Sequence, residues 1–295
     1  MRIEQLANGG WDPRIQVCRC ATLVDVFLVI TERYVVLIDT LVNAATADQL
    51  LAIARPALEG RQLLVVNTHA HYDHAWGNQL FAGPQAVFPA PIIATRRCAT
   101  HLAATESAAL LADMAQQDPA TYGDVQLTLP TILFDETLLI DGGDLTLELF
   151  ATPGHADDHI AIWIPQIGTL LPGDAAEAPF PLVDTAATLP QLRDSLARMA
   201  ALNPAVVLYC HAPTTAGPEL LQQNIAYFDE LERRCRAALA AGVPAHPAAD
   251  PEALVGFRFA DAIPQGHTVA QPEFYQPAHQ KAIRVMLEFL AGGAS

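Results

Sequence analysis

The stretch LLVVNTHAHYDH, residues 63–74, carries the strongest structural signal in the sequence. Its first four residues form a short, wholly apolar run, which is typical of a strand buried on both faces. His69, His71, Asp73 and His74 follow directly after that run. Because the end of a strand is held rigidly and opens into a loop, we expect these four side chains to face one accessible volume. Neutral imidazoles and a carboxylate are suitable ligands for zinc and other first-row metals.

Three further histidine or aspartate residues occur in the same local setting, each directly after a predicted strand. His155 lies in the turn that follows the strand predicted from Leu145 to Phe150. Asp174 lies in the turn after another short strand, and His211 follows the strand predicted from Ala205 to Tyr209. A sheet that presents side chains from several strand ends can build one site at its edge.

With these residues in this order, the sequence resembles the metallo-β-lactamase superfamily. The signature of that family is His-x-His-x-Asp-His, then a histidine after a glycine, an aspartate after a glycine, and a last histidine after a strand. The present sequence supplies every member, and the resemblance runs from about Val24 to His211. It implies an α+β fold, a four-layer αββα sandwich, with the site at one edge of two facing sheets.

The resemblance also implies a role for each of these residues. Three side chains would bind a first metal ion: His69, His71 and His155. Three others would bind a second ion: Asp73, His74 and His211. Asp174 would bridge the two ions, and Asp73 would in addition be catalytic by orienting the nucleophile. We expect two divalent ions as cofactors, zinc first, with iron or manganese as alternatives because His and Asp ligands accept all three metals.

The activity implied by the resemblance is hydrolysis by a hydroxide that bridges two metal ions. Metal coordination lowers the pKa of a bound water to about 7, so that a hydroxide nucleophile exists at neutral pH. The ions also polarise the attacked carbonyl and stabilise the oxyanion that develops on it. We therefore expect a metal-dependent hydrolase that acts on an ester, lactone, thioester or amide carbonyl of a small molecule.

Departures from well-known relatives bear on the substrate. Asp174 stands where the best-known zinc β-lactamases have a cysteine ligand, so antibiotic hydrolysis is not the expected native activity. Quorum-quenching lactonases have a tyrosine three residues after the bridging aspartate, where this chain has Glu177. The C-terminal region is poor in the basic residues with which glyoxalase II relatives bind glutathione. The substrate therefore stays open.

Two other functions stay open beside the hydrolase. The first is a mononuclear iron oxidoreductase that resembles the persulfide dioxygenases of the family, with some of the seven positions free of metal. The second is a non-catalytic sensor that keeps the metal site for ligand binding. A metal count and a test for turnover that depends on Asp73 would separate the three functions.

Composition bounds the partners and the compartment. Of the 295 residues 52% are hydrophobic and 16% are charged, which indicates a packed globular chain. The net charge of -16 argues against nucleic-acid and membrane partners, because those surfaces bind clustered Lys and Arg. Five scattered cysteines do not form a disulfide framework, and the N-terminus lacks the pattern of a signal peptide. We expect a cytoplasmic protein with a small-molecule substrate, and we make no prediction of its oligomeric state.

Because no Ser/Gly linker divides the sequence, we expect a single domain over residues 1–295. It would carry a helical insertion at about 96–117 and a C-terminal helical extension at about 217–295. Within that extension we predict a long helix from Pro218 to Ala241 and a last helix from about Pro277 to Leu290. We hypothesise that the insertion is a lid over the metal ions, with four apolar side chains lining the pocket: Leu102, Leu110, Leu111 and Met114. The alternative is that this apolar stripe packs on the sheet or on a second subunit.

Several residues near the signature have simpler interpretations. Asp39, at the end of a predicted strand, either hydrogen-bonds a metal-bound imidazole or caps the next helix. Asp157 and Asp158 are interpreted as solvated loop carboxylates, with acids near the site as the alternative. His159 is interpreted as the start of a strand that supports a loop, with support of a metal ligand as the alternative. Four isolated histidines are interpreted as structural: His101, His246, His267 and His279.

Overall fold

The computed structural model describes residues 1–248, 250–264, 269 and 271–292. The β-strands of these residues are β1 (Ile3–Gln5), β2 (Ile15–Cys20), β3 (Val24–Ile30), β4 (Tyr34–Ile38), β5 (Gln62–Val66), β6 (Ile92–Thr95), β7 (Ile132–Phe134), β8 (Thr137–Asp141), β9 (Thr146–Ala151), β10 (Ile160–Ile164), β11 (Thr169–Leu171) and β12 (Val206–Val207). The α-helices are α1 (Ala44–Ala54), α2 (Tyr72–Ala75), α3 (Arg96–Leu102), α4 (Thr105–Gln117), α5 (Pro119–Tyr122), α6 (Leu189–Ala201), α7 (Glu219–Ala240), α8 (Pro251–Val255), α9 (Phe259–Ala262) and α10 (Pro272–Gly292).

The chain divides into two compact units. Unit 1 comprises Met1–Ala151 and Asp158–Thr169. Unit 2 comprises Thr152–Asp157 and the described part of Leu170–Ser295. The expectation of a single domain over the whole chain stays a prediction.

Unit 1 is built on a seven-stranded sheet in the order β1-β2-β3-β4-β5-β6-β7. Strands β1 to β4 are antiparallel neighbours, whereas β4 to β7 are parallel. The register pairs Ile38, the last residue of β4, with Val66, the last residue of β5. Because the two strands run in the same direction and end together, Asp39 and Asn67 leave the sheet side by side.

The antiparallel strands β8, β9 and β10 also belong to unit 1. The amide of Ile160, the first residue of β10, donates to the carbonyl oxygen of Thr68 at 2.9 Å. This bond brings the start of β10 next to the chain that leaves β5. Asp158 and His159, which precede β10, are therefore placed beside the histidine motif.

The segment predicted at about 96–117 is helical and forms α3 and α4. That it is an insertion stays a prediction. Leu102 is 2% exposed and belongs to a core cluster of unit 1 with Trp76 and Tyr122. Leu111 and Met114 pack against the same cluster. The alternative of packing thus holds for these three side chains, and the expectation that Leu102 lines a pocket is wrong because the core encloses it. Leu110 is exposed.

Unit 2 contains the helices α6 to α10, the last two residues of β11, and the short strand β12. The amide of Leu208, next to β12, donates to the carbonyl oxygen of Leu170 in β11 at 3.0 Å. A buried aromatic group lies between the helices: the Phe180 and Tyr227 rings stack with their centroids 4.2 Å apart. The helix predicted after Pro218 is confirmed as α7. The last helix begins at Pro272 rather than near Pro277, which lies inside it.

The described part of the chain contains no helix that is both long and apolar enough to cross a membrane. All five cysteines are buried.

Candidate metal centre

The signature stretch runs from the end of β5 into the short helix α2, and it gathers its four candidate ligands in unit 1. The rings of His69 and His71 have centroids 4.4 Å apart, and those of His69 and His74 are 4.2 Å apart. The Asp73 Oδ2 atom lies 3.7 Å from His74 Nε2. His69, Asp73 and His74 are buried, whereas His71 is exposed. We call these four residues the unit 1 donor group.

Asp39 holds the imidazole of His74 through the Nδ1 atom of the ring. Its carboxylate accepts hydrogen bonds from the Thr68 amide at 2.7 Å and from the Thr68 hydroxyl at 2.8 Å, and it lies 2.8 Å from His74 Nδ1. A carboxylate can only accept, so Nδ1 carries the proton and Nε2 keeps the lone pair that a metal needs. Of the two interpretations of Asp39, the bond to an imidazole is the correct one, because Asn43 caps helix α1.

Burial raises the pKa of Asp39, while His74 and the two Thr68 donors act to lower it. The residue adopts φ +68°, a left-handed backbone conformation that aspartate and asparagine tolerate better than most residues. This conformation turns the side chain back toward Thr68. A charged group with no exposed surface is thus kept where its partners are His74 and Thr68.

Two other groups support His69. The Thr68 hydroxyl lies 3.0 Å from His69 Nδ1, so this ring is also held through its Nδ1 atom. The ring of His159 lies 4.9 Å from that of His69, and neither residue has exposed surface. His159 directly precedes β10, close to its predicted place at the start of a strand.

The interpretation of Asp158 as a solvated carboxylate is wrong. Its residue is 3% exposed, and its Oδ2 atom accepts a hydrogen bond from the amide of Ala70 at 2.8 Å. Burial raises the pKa of Asp158, while the imidazoles of His101 and His71 act to lower it. Asp157, by contrast, is exposed as predicted. Two adjacent aspartates in a turn give no sequence signal for which of them the fold buries.

In unit 2, the turn that carries His155 requires glycine at the position before it. Gly154 adopts φ +139°, and a Cβ atom added to it would lie 2.3 Å from the Leu192 Cα atom. The Ser195 hydroxyl donates to the Pro153 carbonyl oxygen at 2.8 Å. Helix α6, which carries Leu192 and Ser195, therefore packs directly on this turn and fixes the backbone that bears His155.

Asp174 lies between two histidines of the same unit. Its Oδ2 atom is 3.6 Å from His155 Nε2 and 3.3 Å from His211 Nε2. Asp174 follows β11 on the short 3-10 turn Gly173–Ala175, and His211 follows β12. We call His155, Asp174 and His211 the unit 2 donor group. All three predicted ligands of this unit are thus brought together around one carboxylate oxygen.

Glu177, the residue that stands where quorum-quenching lactonases have a tyrosine, is a buried carboxyl group. It accepts from the Tyr275 hydroxyl at 3.0 Å and from the Leu182 amide at 3.2 Å. Burial raises the pKa of Glu177 to about 8, against the lowering effect of His211. The Asn224 side chain binds both the amide and the carbonyl of Glu177. Helices α7 and α10 therefore anchor the chain three residues after Asp174.

The isolated histidines differ among themselves. His279 is fully buried, with Nδ1 2.9 Å from the Tyr227 hydroxyl and Nε2 3.0 Å from the Phe257 carbonyl oxygen, as expected of a structural histidine. His101 and His246 are exposed. His267 lies outside the described residues.

The donors of both groups fit a divalent first-row metal. Each group combines imidazole nitrogens with carboxylate oxygens, and one ligand atom of His69 lies within 4.8 Å of one of His71. Support for the ring nitrogen opposite the metal-binding one, as Asp39 gives His74, is the usual arrangement at metal-binding histidines. The assignment of all seven residues as ligands, and of Asp73 as catalytic, stays a prediction.

Comparison with known proteins gives a family and a fold. The family model of the metallo-beta-lactamase superfamily matches residues 21–211. No curated protein matches the sequence.

The solved structures that are similar to the chain include the following three. A beta-lactamase domain protein from Burkholderia ambifaria is 18% identical, with a TM-score of 0.68, covering 98% of this chain and 88% of that one. A metallo-beta-lactamase family protein from Thermus thermophilus is 19% identical, with a TM-score of 0.62 and coverages of 99% and 94%. A metallo-beta-lactamase from Pontibacter korlensis is 18% identical, with a TM-score of 0.57 and coverages of 76% and 98%. These likenesses confirm the predicted α+β class and αββα sandwich.

Proposed function

Since the chain belongs to the metallo-beta-lactamase superfamily, we propose that it is a metal-dependent hydrolase of a small carbonyl-containing molecule, an ester, lactone, thioester or amide. One observation carries the proposal: a single oxygen of Asp174 lies 3.6 Å from His155 Nε2 and 3.3 Å from His211 Nε2. The resemblance assigns these two histidines to different metal ions. A carboxylate oxygen this close to both histidines would suit a ligand shared by two ions, and this supports the proposal of two ions rather than one.

The two donor groups would hold the ions, with zinc first and iron or manganese as alternatives. When bound, such an ion lowers the pKa of a coordinated water to about 7 and polarises a carbonyl oxygen. The charge of the chain supports a small substrate. With a net charge of -16, it has few cations to bind nucleic acid or an anionic membrane. A cytoplasmic location stays a prediction.

The residues of the chain prepare this site before any substrate arrives. Asp39 keeps His74 in the tautomer whose Nε2 atom can bind a metal, and Thr68 restrains His69. Asp73 is buried, and its carboxylate is directed toward His74 Nε2 at 3.7 Å. In this position Asp73 would orient a water molecule by accepting a hydrogen bond from it. Preorganised groups of this kind need no rearrangement during the reaction.

The test combines a metal count with a substrate panel. The full chain is purified without chelators, its metals are counted, and turnover is measured on lactones, thioesters, esters and β-lactams. We expect two divalent ions per chain and at least one substrate class that is turned over. Asp73→Ala should lower the rate on the order of 100-fold or more. The matched control is Asp113→Ala, an exposed aspartate of α4, which should keep the wild-type rate.

Two results would contradict the proposal. One iron ion per chain together with oxygen uptake on persulfides would point to the oxidoreductase. If no substrate of the panel is turned over, or if Asp73→Ala leaves turnover unchanged, the proposal of a hydrolase fails. The sensor is then the function that remains.

A further inference from the structure

We propose that Asp158 is a positioning residue for the unit 1 donor group and acts through the backbone between His69 and His71. The inference rests on the proposed function in that it treats His69 and His71 as metal ligands. The carboxylate of Asp158 would fix the amide of Ala70, the residue between these two histidines.

Asp158 is itself held firmly in unit 1. Its carbonyl oxygen accepts a hydrogen bond from the Thr95 hydroxyl at 3.0 Å. The same hydroxyl accepts from the Cys98 amide at 3.0 Å, where it caps the start of helix α3. The first residue of β10, two positions on, is bound to Thr68. Asp158 is thus connected at once to the end of β6, to the start of α3 and to the chain leaving β5.

The carboxylate acts on the backbone of the signature. The Asp158 Oδ2 atom accepts from the amide of Ala70 at 2.8 Å, and Ala70 is the residue between His69 and His71. Ala70 belongs to the core cluster of unit 1 and is 9% exposed. A buried amide in a loop needs a partner, and here a charged one supplies a strong bond. The spacing of the two imidazoles therefore depends on this bond.

His71 differs from its two histidine neighbours in its burial. His69 and His74 are fully buried, and Thr68 and Asp39 hold their Nδ1 atoms. His71 is exposed, so the core does not enclose its ring. It follows Ala70 directly in the chain, and the place of its ring therefore depends on the backbone that Asp158 holds.

His101 is the competing partner, because a ring nitrogen of this exposed residue of α3 lies within 4.8 Å of a carboxylate oxygen of Asp158. If the carboxylate served mainly to hold α3 through His101, removal of that imidazole would disturb the site as much as removal of Asp158. The variant His101→Ala therefore provides the matched control for a role through the Ala70 amide.

The experiment measures zinc affinity by competition with a chromogenic chelator, and the thermal unfolding of the metal-free protein beside it. Asp158→Ala should weaken the tighter zinc site about 10- to 100-fold, on the order found for residues that orient metal ligands. Asp158→Asn can still accept from the Ala70 amide but lacks the charge, so it should fall between Asp158→Ala and wild type. His101→Ala should keep the wild-type affinity.

Several outcomes would overturn the inference. Zinc affinity unchanged in a folded Asp158→Ala protein would do so, as would a loss in His101→Ala equal to that in Asp158→Ala. If Asp158→Ala does not fold, Asp158→Asn decides, and its wild-type affinity would count against the inference. Zinc affinity is measured without substrate. A zinc affinity that depends on Asp158, in a protein that hydrolyses nothing, would therefore contradict only the proposed function.

Discussion

The substitution Asp39→Asn tests whether the buried bond to His74 selects the tautomer that binds metal. Asparagine has the same shape and tolerates the φ of +68° at this position, so the backbone is expected to stay. Its oxygen can keep the bond to the Thr68 amide, now 2.7 Å. Its NH₂ group then faces His74 Nδ1, which must accept rather than donate. The proton of the imidazole moves to Nε2, and the lone pair for a metal is lost from that atom.

The size of the expected effect is worked out separately for zinc affinity and for the stability of the metal-free protein. Loss of a residue that orients a metal ligand lowers affinity about 10- to 100-fold, or roughly 1.4–2.7 kcal/mol. In the metal-free protein two effects oppose each other: hydrogen bonds to a charged group, about 1.5–3 kcal/mol, are weakened, but a buried charge is removed. We therefore expect the stability of the metal-free protein to change by less than about 2 kcal/mol while zinc affinity falls.

The assay is a zinc titration against a competing chelator, with urea unfolding of the metal-free chain. Asp48→Asn, at an exposed position of α1, is the control for the change in net charge. Zinc affinity in Asp39→Asn equal to that of wild type would refute the tautomer argument. A loss of affinity that merely follows a large loss of stability would also refute it, since the effect would then be on folding.

Three further changes have expected results. Gly154→Ala should destabilise the protein by about 2–4 kcal/mol in urea unfolding, because the added Cβ atom meets Leu192. The control Gly242→Ala also has a positive φ but adds its Cβ atom in open space, so it should cost less. Equal losses of stability in the two variants would contradict this. Burial lowers the pKa of His279 from 6.5. Its contribution to the free energy of unfolding is therefore fully present above pH 6.5 and is lost as the pH falls below that value. Thermal unfolding of His279→Gln should depend less on pH than that of wild type, and an equal pH dependence of the two proteins would contradict this. Tyr275→Phe removes a donor from buried Glu177 and should cost about 1–3 kcal/mol in urea, with no change expected if the hydroxyl is dispensable.

The sequence was sufficient for the fold class and for the local setting of every candidate ligand. The apolar run before His69 is a buried strand, and the glycines before His155 and Asp174 mark the turns that carry them. Both signals are local, since a buried strand and a tight turn leave their pattern in consecutive residues. The seven candidate ligands can therefore be recognised in the sequence alone.

What the sequence could not predict depends on contacts between distant segments. Asp158 is buried because the Ala70 amide, 88 positions away, needs an acceptor, and nothing in the turn around Asp158 encodes that partner. The predicted start of α10 is wrong because Pro277, which resembles a common first helical residue, here lies inside the helix. Likewise Leu102 and Leu110 share one apolar stripe, but only the core cluster decides that the first is enclosed and the second is not.

The common end of β4 and β5 restricts where this chain can change length. A single residue deleted from β4 would withdraw Asp39 from Thr68 and turn the side chains in the shifted part of β4 to the opposite face of the sheet. The connection at residues 55–61 enters β5 from its other end, so an inserted residue there leaves the alignment of Ile38 with Val66 intact. Homologues and engineered variants are therefore expected to tolerate insertions at 55–61 and to keep the number of residues in β4 constant.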